Sequence, residues 1–352
     1  MAHAIVYDPL TTPSPLQLKT YSIPTLLPSP DSVIVQFLAS PVNRVDLMLL
    51  AGQYPVKPTQ HLSSSPIPGF DGCGTVLASA SPSFSPGDIV LPRDLGLGTW
   101  RSHAVLPASS LLKLPAGTPP LAGALLRSGA VIAWLLLEEI RQLAEGDTII
   151  MSAGTSTVAQ FLIQLARLKG ISVILVIRDR EASELENTKK FLRERGATAV
   201  LSETELEDSL SGKIVPSLLP ESKPKLALDC VFGPVGKLLA ETLAPGGTFV
   251  LVGLLGGAGA SIQVGTKDLF VRQLSFVPFR GSEVLKRMGE SKTTELFQKI
   301  ATLFIEGHLK IPEIVTVRWK QENEEALEET LKGAVEKAKS NGVGYRKIVF
   351  LP

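Results

Sequence analysis

The stretch Ser152-Ala153-Gly154-Thr155-Ser156-Thr157-Val158-Ala159-Gln160 follows a β-branched run at 148–151 and opens a helical pattern at 158–169. A small-residue loop between a parallel strand and a helix N-terminus suits a pyrophosphate. Backbone N–H groups project outward there, the helix dipole favours the anion, and short side chains let the main chain come close. The spacing lacks the full G-x-G-x-x-G, with Ala153, Ser156 and Ala159 at the three small positions. The loop alone therefore reads equally well as a tight turn with no ligand. A second signal comes about twenty residues on, the usual distance to a ribose-binding residue. There the strand 172–177 ends in Arg178-Asp179-Arg180. An acid in this place binds a ribose 2′-hydroxyl, and an arginine pairs with a 2′-phosphate. Arg178 standing first favours NADPH. Asp179 keeps NADH open and also suits a helix N-cap.

Tyr54, in Ala51-Gly52-Gln53-Tyr54-Pro55, is one of four tyrosines. A reductase without a metal needs a group that donates a proton or a hydrogen bond to a developing oxyanion. The competing reading is a packed tyrosine with a satisfied hydroxyl. Cys73 and Cys230, the two cysteines, lie in apolar or glycine-rich surroundings and read as inert buried thiols rather than a disulfide framework. His3, His61, His103 and His308 show no ligand spacing, so no metal site is expected.

These groups need elements to hold them. The first third is β-rich, with short apolar runs at 32–38, 74–78 and 88–91 set off by Pro, Gly and Ser. A helical pattern at 121–140 follows. Strands at 148–151, 172–177, 199–201, 226–230 and 248–252 then alternate with helices at 158–169 and 182–195, which indicates a parallel sheet with crossover helices. After a strand at 274–279 come a helix at 293–306, a strand at 314–318, a helix at 323–339 and a last strand at 347–351. These are expected to return to the first domain. The 352 residues suit two domains, expected at 1–122 with 283–352 and at 123–282. A net charge of +1 speaks against nucleic acid and membrane surfaces as partners. The segment 122–137 comes nearest to a membrane span, but Arg127 interrupts it. No secretory signal or Arg-rich presequence is visible at Met1, which points to the cytoplasm if the chain is full length.

Asn43-Arg44-Val45-Asp46 with Gly52-Gln53-Tyr54, then Gly96-Leu97-Gly98-Thr99-Trp100-Arg101, then Val176-Ile177-Arg178-Asp179-Arg180 resemble the zinc-free medium-chain dehydrogenase/reductase superfamily. Over almost its whole length the chain looks like the mitochondrial-type trans-2-enoyl thioester reductases. Where zinc-dependent members carry ligands, residues 41–46 hold no Cys, and Phe70 in Pro68-Gly69-Phe70-Asp71-Gly72 replaces a His. The resemblance implies an α/β fold: a doubly wound parallel-sheet (Rossmann) cofactor domain plus a discontinuous β-rich GroES-like catalytic domain. It also implies a homodimer paired through the edge strand 274–279, and the mitochondrial matrix.

The implied reaction is NADPH-dependent, zinc-independent reduction of the C2–C3 double bond of a trans-2-enoyl thioester on CoA or acyl carrier protein, of the kind used in fatty-acid synthesis. By the same resemblance Tyr54 is the catalytic residue. Thr155, Ser156, Thr157 and Val158 hold the pyrophosphate, and Arg178, Asp179 and Arg180 surround the 2′-phosphate. Val252, Gly253, Leu254 and Leu255 lie near the nicotinamide half. Phe279, Arg280 and Gly281 border nicotinamide and substrate, and Lys347 reaches the cofactor from the other domain. The nicotinamide stretch, usually Asn-Pro-x-Thr-Ala, reads Gly129-Ala130-Val131-Ile132-Ala133, and Arg280 stands where Trp is frequent. These departures keep two alternatives open: a quinone or small-enone oxidoreductase of the same superfamily, and a nucleotide-binding protein with reduced or lost catalysis.

Overall fold

A computed structural model describes residues 1–11, 15–24, 27–213, 219, 221–257, 259–320, 323–339 and 346–352. The apolar runs of the first third become β1 (Ala2–Tyr7), β2 (Leu16–Tyr21), β3 (Ser32–Pro41), β4 (His61–Leu62), β5 (Ser65–Pro66), β6 (Cys73–Ser79), β7 (Ile89–Pro92), β8 (His103–Pro107) and β9 (Leu111–Lys113). A short helix α1 (Arg44–Leu50) follows β3, and α2 (Pro120–Ala124) follows β9. The chain folds into two units, Met1–Ser128 with Ser291–Pro352 and Gly129–Glu290. The joints fall a few residues beyond the positions expected from the sequence.

The expected helix at 121–140 is in fact three pieces: α2, a π-turn at Leu126–Val131, and α3 (Ile132–Glu138). Periodicity alone does not reveal the π-turn. The Arg127 guanidinium is drawn to the carbonyls of Pro92 and Arg93 at 2.5 and 2.6 Å. A widened turn of this kind is a common device at functional sites.

The second unit carries β10 (Thr148–Met151), α4 (Thr157–Arg167), β11 (Ser172–Ile177), α5 (Ala182–Glu194), β12 (Ala199–Ser202), α6 (Glu203–Leu210), β13 (Leu226–Asp229), α7 (Pro234–Thr242), β14 (Thr248–Leu251), β15 (Ser275–Pro278) and α8 (Gly281–Met288). Its six strands are all parallel in the order β12-β11-β10-β13-β14-β15. That is the doubly wound order, with the reversal point beside β10. β10 and β13 are buried at every position, which explains why they read as unbroken apolar runs rather than alternating ones. β15 lies at the sheet edge, as the resemblance implied.

The chain then returns to the first unit through α9 (Glu290–Ile305), β16 (Ile314–Arg318), α10 (Glu324–Lys339) and β17 (Lys347–Leu351). β17 pairs antiparallel with β3 and parallel with β16, so the last strands complete a sheet ordered β16-β17-β3-β6-β7-β9. The core beneath includes Trp100, packed edge-on to Phe350 at 5.2 Å, with Leu47, Phe70 and Leu331.

Candidate active site

In the second unit the carboxyl ends of adjacent parallel strands carry most of the residues singled out from the sequence. β10 runs into Thr155–Val158, β11 into Arg178–Arg180, β14 into Val252–Leu255, and β15 into Phe279–Gly281. The carboxyl ends of such a sheet, at its reversal point, form the usual nucleotide crevice. Gly154 lets the loop press on the sheet: a Cβ there would meet Leu175 Cβ at 2.8 Å, and its N–H donates to Val176 O at 2.9 Å. Ala153 takes a left-handed φ of 50°, which costs a residue with a Cβ about 1 kcal/mol. Ser156 caps α4 by accepting from the Ala159 N–H at 3.2 Å. This leaves the first N–H groups of an eleven-residue helix for an anion.

A residue not singled out beforehand holds the floor of this crevice. Asp229, fully buried at the end of β13, accepts from Ser152 Oγ at 2.6 Å and from the N–H groups of Val231 and Phe232. Ser152 in turn accepts from the Cys230 N–H, tying the β10 and β13 loops together. An acid closing an otherwise apolar strand was the available signal.

The three charges after β11 have separate fates. Arg178 and Asp179 are exposed. Asp179 Oδ2 accepts from the Thr204 N–H at 3.3 Å, at the start of α6, and α5 begins only after Glu181, so Asp179 is not its N-cap. The Arg180 side chain is almost fully covered, donates to Thr188 Oγ1 at 3.1 Å and pairs with Glu184 at 3.6 Å. It serves α5, and of the two arginines expected at a 2′-phosphate the exposed one is Arg178.

Gly129 is buried against α4. A Cβ would lie 2.7 Å from Phe161 Cε2 and 3.1 Å from Thr157 Cγ2. A polar side chain at this position has no room while Phe161 stands there. A Cβ on Gly281 would meet Ile132 Cδ1 in the same way. Arg280 is exposed and lies 3.8 Å from Glu283.

In the first unit, Tyr54 and Lys347 flank a buried polar cluster. Tyr54 is half-buried, its ring edge-on to Phe70 at 5.3 Å. The Phe70 N–H donates to Asp46 Oδ1 at 2.9 Å, and the Asn43 N–H donates to Asp46 Oδ2 at 2.7 Å. Asp46 and Asp71 are 0% and 3% exposed. Burial pushes the Asp46 carboxyl up to about 7, with the charge of Asp71 adding to the rise. Burial raises Asp71 too, opposed by Arg127, Ser128, Lys347 and Asn43. Asn43 Nδ2 donates to Asp71 Oδ2 at 2.8 Å, and Lys347 Nζ donates to Asn43 Oδ1 at 2.9 Å.

The segments around Asn43 and Phe70, which replace the ligand segments of zinc-dependent members, do come together. What they bring is an amide and a carboxylate already bonded to each other, and a phenyl ring. Among the described residues no group of three or more His, Cys, Asp or Glu is gathered to hold a metal ion. The donor set does not fit zinc. Cys73 and Cys230 are buried, and burial pushes both thiols up to about 12, so they are inert at neutral pH.

A two-part chain of this kind, with a parallel dinucleotide-type sheet and a discontinuous β-rich unit, is the architecture of the alcohol dehydrogenase class. Accordingly, the alcohol dehydrogenase GroES-like domain matches residues 29–116, and the family described as zinc-binding dehydrogenase matches residues 157–300. The mitochondrial enoyl-[acyl-carrier-protein] reductase of Rattus norvegicus is 32% identical over 336 residues, covering 94% of this chain and 85% of the relative. The chain belongs to this family of reductases. Among solved structures, a mitochondrial 2-enoyl thioester reductase heterodimer from Candida tropicalis aligns over 100% of this chain and 99% of its own, at 26% identity and a TM-score of 0.85. A complex of the reductase Etr1p with NADP and crotonyl-CoA aligns over the same shares at 26% identity and a TM-score of 0.84.

Proposed function

We propose that this chain reduces the C2–C3 double bond of trans-2-enoyl thioesters with NADPH. The observation that carries the reading is the likeness, over the whole chain, to a reductase solved with both NADP and crotonyl-CoA. The strand ends of the second unit support it, with a capped anion-binding helix, a close-packed loop and an exposed arginine where a 2′-phosphate is read. When bound, NADPH supplies the hydride, which goes to the β-carbon. The C2–C3 electron pair moves toward the thioester oxygen, and a proton is then added at the α-carbon.

Residues 155–158 hold the pyrophosphate and Arg178 the 2′-phosphate. Val252–Leu255 and Phe279–Gly281 border the nicotinamide half, and Lys347 contributes an ammonium to the bound cofactor. Tyr54 is the residue assigned to the thioester: its O–H faces the growing negative charge. The side chain suits the task because Phe70 fixes the ring by its edge, and Asp46 fixes Phe70.

Tyr54→Phe tests the assignment. The edge-on ring contact with Phe70 survives. Loss of one donor to an oxyanion is expected to cut kcat by roughly 100- to 1000-fold. NADPH oxidation with crotonyl-CoA at full rate in this variant removes Tyr54 from the mechanism. Turnover of quinones but of no enoyl thioester establishes the quinone reductase alternative instead.

The carrier, CoA or acyl carrier protein, is decided by comparing kcat/KM for the two thioesters. The mitochondrial matrix is the compartment proposed from the relatives' names. A homodimer is the assembly proposed: β15 is the last strand of its sheet among the described residues, and Leu269, Phe270 and Val271 are 55%, 84% and 70% exposed. Pairing the edge across a two-fold covers both, and a monomeric mass by light scattering at micromolar concentration refutes it.

A further inference from the structure

The polar cluster of the first unit contains a chain of four groups in which each fixes the next. The Arg127 guanidinium is held by the carbonyls of Pro92 and Arg93 and lies over the Phe297 ring at 5.0 Å. Its Nε stands 3.6 Å from Asp71 Oδ1. Asp71 Oδ2 accepts from Asn43 Nδ2, and Asn43 Oδ1 accepts from Lys347 Nζ. A carboxylate offers only acceptors and an ammonium only donors, so a carboxamide placed between them satisfies both in one orientation alone.

Lys347 spends a second hydrogen on Val42 O at 3.4 Å. An ammonium has three. The third meets no acceptor among the described residues, and Lys347 closes no ion pair there. Asp46 and Asp71 nevertheless lie near enough to pull its pKa back up against the lowering by burial. A direct carboxylate partner would hold this ammonium and cancel its charge. An amide partner holds it and leaves the charge available.

We propose that Asn43 is a positioning residue: it fixes the Lys347 ammonium through its carboxamide, itself aimed by Asp71, and so keeps one N–H of an ammonium with no direct carboxylate partner for an acceptor on bound NADPH. This rests on the reading of Lys347 as a cofactor contact, and it adds the residues that make that contact directional. Asn43 acts through Lys347 rather than on the ligand.

The test is a double-mutant cycle on NADPH affinity in the full chain, using Asn43→Leu, Lys347→Met and the double variant. Lys347→Met is expected to raise the Kd for NADPH by roughly tenfold, the loss of one charge-assisted hydrogen bond. Asn43→Leu is expected to do nearly the same, and the double variant to bind no worse than Lys347→Met. Asn43→Asp places a carboxylate on the ammonium. It is expected to raise the Lys347 pKa, read by NMR of the 13C-dimethylated lysine, and yet to weaken NADPH. A merely structural Asn43 would lower Tm without producing that opposition. Asn43→Ser keeps a small acceptor and a good helix N-cap, and serves if the leucine variant does not fold; it is expected to fall between wild type and Lys347→Met.

If Lys347→Met binds NADPH normally, the cofactor role of Lys347 falls. If Lys347→Met is weakened while Asn43→Leu or Asn43→Ser is not, or if the losses add in the double variant, the positioning role of Asn43 falls and that of Lys347 stands.

Discussion

Arg178→Ala separates the phosphate reading from a generic charge cluster. Arg178 is exposed at the end of β11, whereas the Arg180 side chain is buried against Thr188 and Glu184. A hydrogen bond between charged groups contributes about 1.5–3 kcal/mol, and an exposed one falls at the lower end because salt screens it. At about 1.4 kcal/mol per factor of ten, the Kd for NADPH is expected to rise roughly 10- to 100-fold. NADH lacks the 2′-phosphate, so its Kd is expected to change by less than about twofold. Arg180→Ala should show the opposite division, with a lower Tm from the loosened start of α5 and a smaller loss of NADPH. The assay is calorimetric titration of both nucleotides at fixed ionic strength, repeated at higher salt. The salt dependence of NADPH binding should also be shallower in Arg178→Ala. An unchanged NADPH affinity, or an equal loss for NADPH and NADH, refutes the reasoning.

Gly129→Ala pushes a Cβ to 2.7 Å from Phe161 and is expected to cost about 1–3 kcal/mol by overpacking; Phe161→Leu should return part of that in a thermal-unfolding cycle. Ala153→Gly relieves a left-handed residue and should stabilise the chain by about 1 kcal/mol while leaving the NADPH Kd within about twofold. Asp46 gives a pH signature. Its carboxyl is raised in the folded chain to about 7, so its protonated form favours folding. That contribution is complete below the unfolded value near pH 4 and is lost as pH rises through about 7. Asp46→Asn should therefore remove up to one proton's slope, about 1.4 kcal/mol per pH unit, from stability between these values, and an identical slope in both proteins counts against it.

Periodicity made the parallel sheet readable, because β10 and β13 are buried throughout and their residues are of one kind. It failed at 121–140, where a π-turn interrupts the helix and Arg127 within it bonds carbonyls of Pro92 and Arg93 far away in sequence. The loop after β10 was legible from its small residues. The separate surroundings of Arg178 and Arg180 were not, since an exposed guanidinium and one bound for Glu184 look alike in a string. Asn43 and Asp71 appeared in the sequence as parts of motifs lacking metal ligands. Their bond to each other, and to Lys347 on the last strand, is a product of β17 returning to β3.

That return has a consequence for how the protein is made. Val349 pairs with Pro41 and Phe350 with Ser40, across nearly the entire length of the chain. The second unit is continuous and can close its sheet as soon as residue 290 has emerged from the ribosome. The first unit must keep β3 waiting until the residues of β17 have emerged. Such distant pairing is slow to form and leaves a strand edge exposed in the meantime. The half-made first unit is thus the stage at which nascent chains should most need a chaperone. Loss of residues 347–351 should impair folding far more than their small number suggests.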